Sequence, residues 1–338
     1  MPSPARIHRP TPRNLARLAG VLQRGGLVAL PTETVYGLAA DALDAAACGK
    51  IFRAKGRPAT DPLIVHVLTL AQADEVGELN PAARKLAAAF WPGPLTLVLP
   101  KREIVPAMVT AGLGSVAVRM PKHPLFRKML RLAGRPLAAP SANPFGYISP
   151  TTAAHVKAGL GRRIGHILDG GPCRIGVEST VLDLRVPEHP VLLRPGAVSR
   201  AALAAALGRP VRLAPAGTTG EAERTTGLPG PGMLARHYSP RTPLTLTEKI
   251  AAGRAAAAPE EAFLFFRRPK TRAAAEAKNV FWLTATGSLE EAARNLFDRL
   301  RHLDGGAWHA IRAERVPGRG ALAPALNDRL ARAAARKG

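Results

Sequence analysis

The sequence predicts an α/β protein built as two successive modules, and three observations carry that reading. Short apolar runs alternate with segments of helical periodicity through both halves of the chain, as they do where strands and helices interleave. A stretch rich in Pro and Gly, 214–243, interrupts that rhythm and is longer than an ordinary intradomain loop. The length, 338 residues, exceeds the roughly 250–300 residues that one hydrophobic core serves.

Residues 15–22 repeat apolar side chains at helical spacing, and Gly25-Gly26 ends that helix. Residues 27–30 read as a short buried strand closed by Pro31, 45–53 as a helix, 63–67 as a strand and 82–90 as a helix. Further strands are expected at 95–99, 115–118, 137–139, 166–168 and 179–184, and another one ending at Leu193-Arg194. Helices are expected at 124–132, 151–157 and 199–207. Not every crossover follows the βαβ rhythm, so the sheet is expected to be mixed, twisted and partly open. Within the Pro/Gly stretch, Met233-Leu-Ala-Arg-His-Tyr-Ser-Pro240 carries two aromatic rings and an Arg that a spacer does not need, which suggests a lid over a site. Strands at 244–246, 262–266, 280–283 and 308–313, an amphipathic helix at 289–303 and a closing helix at 323–334 make a second, smaller α/β unit. The expected organisation is therefore 1–210, a linker and lid at 211–243, and 244–338. The second unit has no GxGxxG after a strand and no GxxxxGK[ST], so neither common nucleotide fingerprint applies.

Composition bounds the function. Hydrophobic residues are 46% of the chain and charged ones 21%, which excludes whole-chain disorder. No run approaches the ~18–20 apolar residues of a membrane span. The start lacks the apolar stretch of a secretory signal, and Cys48 and Cys173 make no disulfide framework; a cytoplasmic protein is expected. The net charge of +24 invites a nucleic-acid reading. Arg outnumbers Lys 37 to 11 and Ala is abundant, a joint bias that a GC-rich genome produces by itself, and the charge is spread over both halves.

The chemistry-bearing side chains lie on turns that follow apolar strands, where open α/β sheets gather ligands. Thr32-Glu33-Thr34-Val35-Tyr36 offers hydroxyls to a small polar ligand or to local capping. Arg53, Lys55 and Arg57 crowd three cations into five positions, which suits a polyphosphate or a solvated basic face. His66 inside an apolar strand reads as a core residue or a ligand contact, with no second metal ligand at coordinating spacing. Arg119 at a strand end is placed like a carboxylate-binding arginine or a surface ion pair. Ser141, Asn143, Ser149, Thr151 and Thr152 are short side chains at strand-to-helix turns that cap helices or donate to phosphate oxygens. Capping suffices for Ser149 or Thr151 and explains Ser141 and Asn143 less readily, while Glu178-Ser179-Thr180 precedes one strand and Arg194 ends the next. No serine–histidine–carboxylate order, reactive cysteine or paired carboxylates stand out, so the inventory suits clamping anions rather than covalent catalysis. The residues alone describe an α/β protein that binds a phosphorylated ligand and a small zwitterion.

Six motifs in order carry a resemblance that covers nearly the whole chain. Pro31-Thr-Glu-Thr-Val-Tyr-Gly-Leu38, Lys55-Gly-Arg-Pro58 with Pro62-Leu63, Val118-Arg-Met-Pro121, Pro140-Ser-Ala-Asn143, Gly176-Val-Glu-Ser-Thr-Val181 and Leu193-Arg-Pro-Gly196 resemble the YrdC-like family. Pro231-Gly-Met233 leading to Arg236-His-Tyr-Ser-Pro240, and Gly320 leading to Asn327-Asp-Arg-Leu330, resemble its long two-domain form, the threonylcarbamoyl-AMP synthases. The resemblance implies a YrdC-like domain followed by a Rossmann-like α/β domain. It implies a nucleotidyltransferase that joins L-threonine, bicarbonate or CO2 and ATP into L-threonylcarbamoyladenylate, releases pyrophosphate and supplies tRNA modification next to the anticodon.

Carried over by matched position, Thr34, His66, Arg119, Ala139 and Ser179 would bind L-threonine, Arg119 pairing with its carboxylate. Lys55, Arg57, Ser141 and Asn143 would form the catalytic cluster around the phosphates. Arg57, Asp61, Ser115, Ser141, Ser149, Arg194 and Tyr238 would contact ATP, with Mg2+ on the phosphates and no metal held by the protein itself. Asp61 stands where the family usually has Asn; a carboxylate there repels phosphate unless it holds Mg2+ or pairs with a neighbouring Arg. The implied partners are the threonylcarbamoyl-transferase machinery acting on tRNA and no membrane, with direct tRNA binding left open. The rivals are a non-catalytic RNA-binding module of the same fold and a hydrogenase-maturation carbamoyltransferase, which the missing zinc-finger cysteines count against.

Overall fold

A computed structural model describes residues 4–214, 237–251, 253–318 and 320–335. Most of the expected 211–243 segment, including the Pro231-Gly232-Met233 run and Arg236, lies outside them. Among the described residues the strands form two sheets. The larger uses β1 (Arg6–His8), β2 (Val28–Leu30), β3 (Gly37–Asp41), β4 (Ile64–His66), β5 (Leu95–Pro100), β6 (Ser115–Arg119), β7 (Leu137–Ala138), β8 (His166–Leu168), β9 (Thr180–Asp183), β10 (Val191–Arg194) and β11 (Arg212–Leu213). Their spatial order is β1-β8-β2-β3-β7-β4-β6-β5-β9-β10-β11, with parallel pairs such as β4/β6 beside antiparallel ones such as β5/β6. The expected mixed sheet is what forms.

Local sequence explains the helices that flank it. Thr11 accepts from the Asn14 N–H and Pro12 opens the helix Pro12–Gln23; its buried stripe, Leu15, Leu18 and Leu22, packs with Phe126, Met129 and Leu130 of the helix Pro124–Ala133 against one sheet face. Asp44 caps the helix Ala45–Lys55, and Gly56 ends it in the left-handed region at φ 67°, so that Arg57 leaves the helix pointing inward. Leu203 and Leu207 of the helix Arg200–Leu207 share the core of Leu86 on the other face.

Four elements of this module escape the periodicity: the short edge strands β1 and β11, the strand β3 and the helix Leu70–Val76. β3 reads Gly-Leu-Ala-Ala-Asp, is buried throughout and lacks β-branched residues. The helix Leu70–Val76 presents only Ala73 and Val76 to the core. Thr152, rather than Ser149 or Thr151, caps the helix Ala153–Leu160.

The second sheet is four parallel strands in the order β12 (Leu244–Thr247), β15 (Ala310–Glu314), β13 (Glu261–Arg267), β14 (Val280–Thr284). The helices Leu289–Asp304 and Leu322–Ala334 cover one face through Leu296, Phe297, Leu300, Leu326 and Leu330. The short helices Arg254–Ala257 and Arg272–Glu276 were not legible in the sequence. Val35, Ile148, Val177 and Tyr238 join the core of this module, so one apolar cluster crosses the junction. Gly176 (φ 87°) sits there because a Cβ would meet the Ala293 carbonyl at 2.2 Å.

Candidate active site

The ends of β2, β4, β6, β7 and β10 and the start of β9 converge on one cleft. Polar turns replace the apolar strands there, and the carboxyl ends of strands are where such sheets take ligands.

One wall comes from β4 and β6, which run in parallel with His66 opposite Arg119. Arg119 Nη2 pairs with Glu33 Oε1 at 2.6 Å and Nη1 donates to Thr34 Oγ at 3.0 Å, all three buried. Burial alone would raise the Glu33 carboxyl, but the charge and hydrogen bond of Arg119 and the backbone N–H of Lys122 outweigh it and hold it below the ordinary value. Burial, reinforced by the Arg119 charge, pushes the His66 imidazole down to about 3, so the ring is neutral at physiological pH. Thr34 also shares a 2.8 Å hydrogen bond with Thr32.

Also in the lining, Arg57 Nε donates to the Asp61 carbonyl at 2.9 Å, and Nη2 lies 2.8 Å from the Asp61 carboxylate. Asp61 thus pairs with a neighbouring Arg, one of the two arrangements that make a carboxylate tolerable at this position. Burial lowers the Arg57 pKa while Asp61 raises it, leaving the guanidinium charged but short of water. Lys55 Nζ donates to the carbonyls of Ser141 and Asn143 at 2.5 and 2.6 Å and pins the turn after β7. Burial and then the Arg57 charge lower its pKa well below the ordinary lysine value.

Glu178, Ser179 and Arg194 line it too. Arg194 Nε and Nη2 donate to the Ser179 carbonyl at 3.1 and 3.0 Å, and Ser179 Oγ lies 2.7 Å from Thr96 Oγ1. Ser149 Oγ donates to Glu178 at 2.5 Å. His237 and Tyr238 cover the cleft, Tyr238 at φ 60°, a strained backbone for a non-glycine residue. Burial, then the charges of Arg57 and Lys55, holds His237 well below the ordinary histidine value. Tyr238 Oη, His237 Nδ1 and Asn143 Oδ1 are buried without a hydrogen-bond partner among the described residues, a cost of about 1–3 kcal/mol each unless a ligand or water supplies one.

Of the residues singled out in the sequence, Thr34, His66, Arg119, Ala139, Ser179, Arg57, Ser141, Arg194 and Tyr238 line this cleft. Lys55, Asp61, Asn143 and Ser149 stand directly behind it through the bonds just given. Ser115 is buried at the start of β6, opposite Pro100 of β5, and is not among the lining residues. The lining also includes His237, Gly37, Ile64 and Pro140, which the sequence reading did not assign. His237 and Pro140 adjoin assigned residues, and that adjacency was the available signal.

Residues 20–196 match the family model described as telomere recombination, and residues 198–335 match that of the threonylcarbamoyl-AMP synthase C-terminal domain. The threonylcarbamoyl-AMP synthase of Pyrococcus abyssi is 44% identical over 322 residues, 93% of this chain and 92% of that one. The chain belongs to the threonylcarbamoyl-AMP synthase family. Its relative from Bacillus subtilis is 40% identical over 95% of this chain and 92% of that one. Among solved structures, P. abyssi Sua5 complexed with L-threonine superposes with a TM-score of 0.86 at 41% identity, covering 99% of this chain and 98% of that one. A P. abyssi Sua5 variant with an adjacent His and Tyr changed to Ala gives the same TM-score at 39% identity, over 98% of this chain and 96% of that one. Both modules of this family member, and not only the first, therefore have counterparts in those structures.

Proposed function

We propose that this protein synthesises L-threonylcarbamoyladenylate from L-threonine, bicarbonate or CO2 and ATP, releasing pyrophosphate. The observation that carries the reading is one cleft lined by three buried arginines, Arg57, Arg119 and Arg194, in a chain of this family. Two anionic groups of one reaction, an amino-acid carboxylate and a polyphosphate, suit several guanidinium forks in one site.

In this reading Arg119, oriented by Glu33 and Thr34, takes the threonine carboxylate, and neutral His66, Thr34, Ala139 and Ser179 seat the rest of the amino acid. Arg57, Ser141 and Arg194 donate to the phosphates; Lys55 and Asn143 hold the Ser141 turn in place, Asp61 holds Arg57, and Ser149 works through Glu178. Ser115 supports the β6 wall from behind. Tyr238 and His237 close over the nucleotide, their buried polar atoms finding partners in it. The threonine amine, once deprotonated, bonds to the carbon of CO2, and the resulting carbamate oxygen attacks the α-phosphorus as pyrophosphate leaves. That sequence requires no protein nucleophile; it requires positioning, exclusion of water from the labile carbamate and fixed donors on the phosphate oxygens.

Glu178 is the one carboxylate among the described lining residues, and it is bonded to Ser149 and to Arg329. Mg2+ therefore fits as a counterion carried on the ATP oxygens, where it would offset phosphate charge. No described helix is long and apolar enough to cross a membrane. Cys48 and Cys173 are free thiols, pushed up to about 12 by burial; unoxidised, unreactive thiols support a cytoplasmic setting. We assign consumption of the product to the transferase machinery that modifies tRNA.

The test is incubation with ATP, threonine and bicarbonate, with serine as competitor. Pyrophosphate release that depends on threonine and on bicarbonate is the expected result. Release indifferent to threonine overturns the reading.

A further inference from the structure

A fully buried arginine of the second module stands directly behind the cleft. Arg329, on the helix Leu322–Ala334, lies with its Nε 3.0 Å from Glu178 Oε2, and its Nη1 donates to the Pro195 carbonyl at 2.7 Å. Its guanidinium carbon is 5.4 Å from the Tyr238 ring centroid. We propose that Arg329 is a positioning residue for the nucleotide side of the cleft, fixing Glu178 and Pro195 and, through them, the donors of Ser149, Ser179 and Arg194. The inference rests on the synthase reading above.

The two atoms that Arg329 ties together flank the working residues. Glu178 precedes Ser179 at the start of β9, and Pro195 follows Arg194 at the end of β10. From the front, Arg194 clasps the Ser179 carbonyl; from behind, Arg329 closes the same pair of strand ends. The ends are pressed so tightly that a Cβ on Gly196 would meet the Thr180 nitrogen at 2.3 Å. Glu178 passes the constraint on by accepting the Ser149 hydroxyl, while Arg301, on the other long helix of the second module, donates to the Ser149 carbonyl at 3.3 Å. Ser149 is thus held by Arg301 directly and, through Glu178, by Arg329.

Simple adhesion between modules does not call for this residue. A well-packed apolar side chain of similar volume joins two surfaces as well as or better than a buried ion pair. What the guanidinium adds is a rigid fork with donors in fixed directions, which sets the spacing of two strand ends. The same helix also anchors the covering segment, since the Arg332 carbonyl accepts from the His237 N–H at 3.3 Å.

The experiment compares full-length wild type, Arg329→Met, Arg329→Lys and Leu326→Ala by threonine-dependent pyrophosphate release with ATP varied, and by melting temperature. Leu326 is fully buried in the same helix and is not among the residues that line the cleft, so its variant destabilises the same helix while keeping the guanidinium. Arg329→Met is expected to lower kcat/KM for ATP at least thirtyfold, and Arg329→Lys to recover part of that loss. Leu326→Ala is expected to stay within threefold of wild type despite a comparable fall in melting temperature. Adding Glu178→Gln to Arg329→Met is expected to cost little more than Arg329→Met alone, because one acts through the other. If Arg329→Met does not fold, Arg329→Lys decides: a tenfold or greater loss supports the proposal and a loss under threefold overturns it. Arg329 variants that track Leu326→Ala at equal loss of stability also overturn it. A wild type without threonine-dependent release overturns the synthase reading itself; an active wild type with parallel variants overturns this inference alone.

Discussion

Replacing His66 with Phe removes one buried titratable ring and, with it, a defined share of the protein's acid sensitivity. The folded-state pKa is about 3 against an ordinary 6.5, because burial and then the Arg119 charge disfavour the imidazolium. The folded pKa is depressed, so between pH 6.5 and 3 the unfolded chain binds a proton that the folded chain refuses. The stabilisation is complete above pH 6.5 and is lost as the pH falls. At about 1.4 kcal/mol per pH unit below 6.5, His66 alone removes about 2 kcal/mol between pH 7 and pH 5. The assay is urea unfolding of wild type and His66→Phe at pH 7, 6 and 5. Phe keeps a ring of similar size against Phe126, whose centroid lies 4.9 Å away. Other histidines with lowered pKa, such as His8 and His155, titrate in both proteins and cancel in the difference. Wild type is expected to lose about 2 kcal/mol more than the variant over that interval. Equal losses would refute a neutral, desolvated His66. In wild type, the KM for threonine should show no step near pH 6.5.

Three further outcomes follow from the same geometry. Arg57→Ala should cost roughly 2–4 kcal/mol of transition-state stabilisation, about 10²–10³ in rate, measured as threonine-dependent pyrophosphate release; it also removes the cation that pairs with the Asp61 carboxylate, so Arg57→Ala/Asp61→Ala should regain stability without regaining rate. Tyr238→Phe removes a buried hydroxyl that has no described partner, so its melting temperature should match or exceed wild type while its KM for ATP rises several-fold; an unchanged KM would remove Tyr238 Oη from the nucleotide contacts. Lys55→Met deprives the Ser141 and Asn143 carbonyls of their donor and should cost about 2–4 kcal/mol in urea unfolding; a loss of rate with full stability would instead make Lys55 a direct phosphate contact.

Much of this architecture was legible because hydrophobic period and strand-end polarity are local properties. The helix Leu289–Asp304 announces itself by its apolar stripe, and Arg119 and Arg194 by ending apolar runs. β3 escaped because its Gly-Leu-Ala-Ala-Asp sequence forms a strand only when both neighbours supply the ladder; pairing with β2 and β7 overrides weak propensity. The pairing of Arg57 with Asp61 is four residues apart and could be posed from sequence. The pairings Arg119–Glu33 and Arg329–Glu178 span 86 and 151 positions, and only the fold brings them together. The roles of Lys55 and Ser149 were hidden for a related reason. A cation among cations, or a serine before a helix, carries no local sign that its donors will be spent on a carbonyl or on a distant carboxylate.

Those three pairs also change what the net charge of +24 means. In and behind the cleft, Arg57 meets Asp61, Arg119 meets Glu33, and Arg329 meets Glu178 and Asp328, each arginine buried beside a carboxylate. Most of the surplus positive charge is therefore carried elsewhere on the chain. The cleft holds guanidinium forks already aimed and already desolvated, with carboxylates that fix their direction at a cost in stability. A phosphate or a carboxylate that enters such a site finds donors whose desolvation and ordering were met when the chain folded. That division of labour explains why a carboxylate at position 61 is compatible with a polyphosphate nearby: Asp61 faces the arginine and not the cleft lining. It also gives Arg329 a task that adhesion between the modules does not require, since it pairs Glu178, the one carboxylate among the described lining residues.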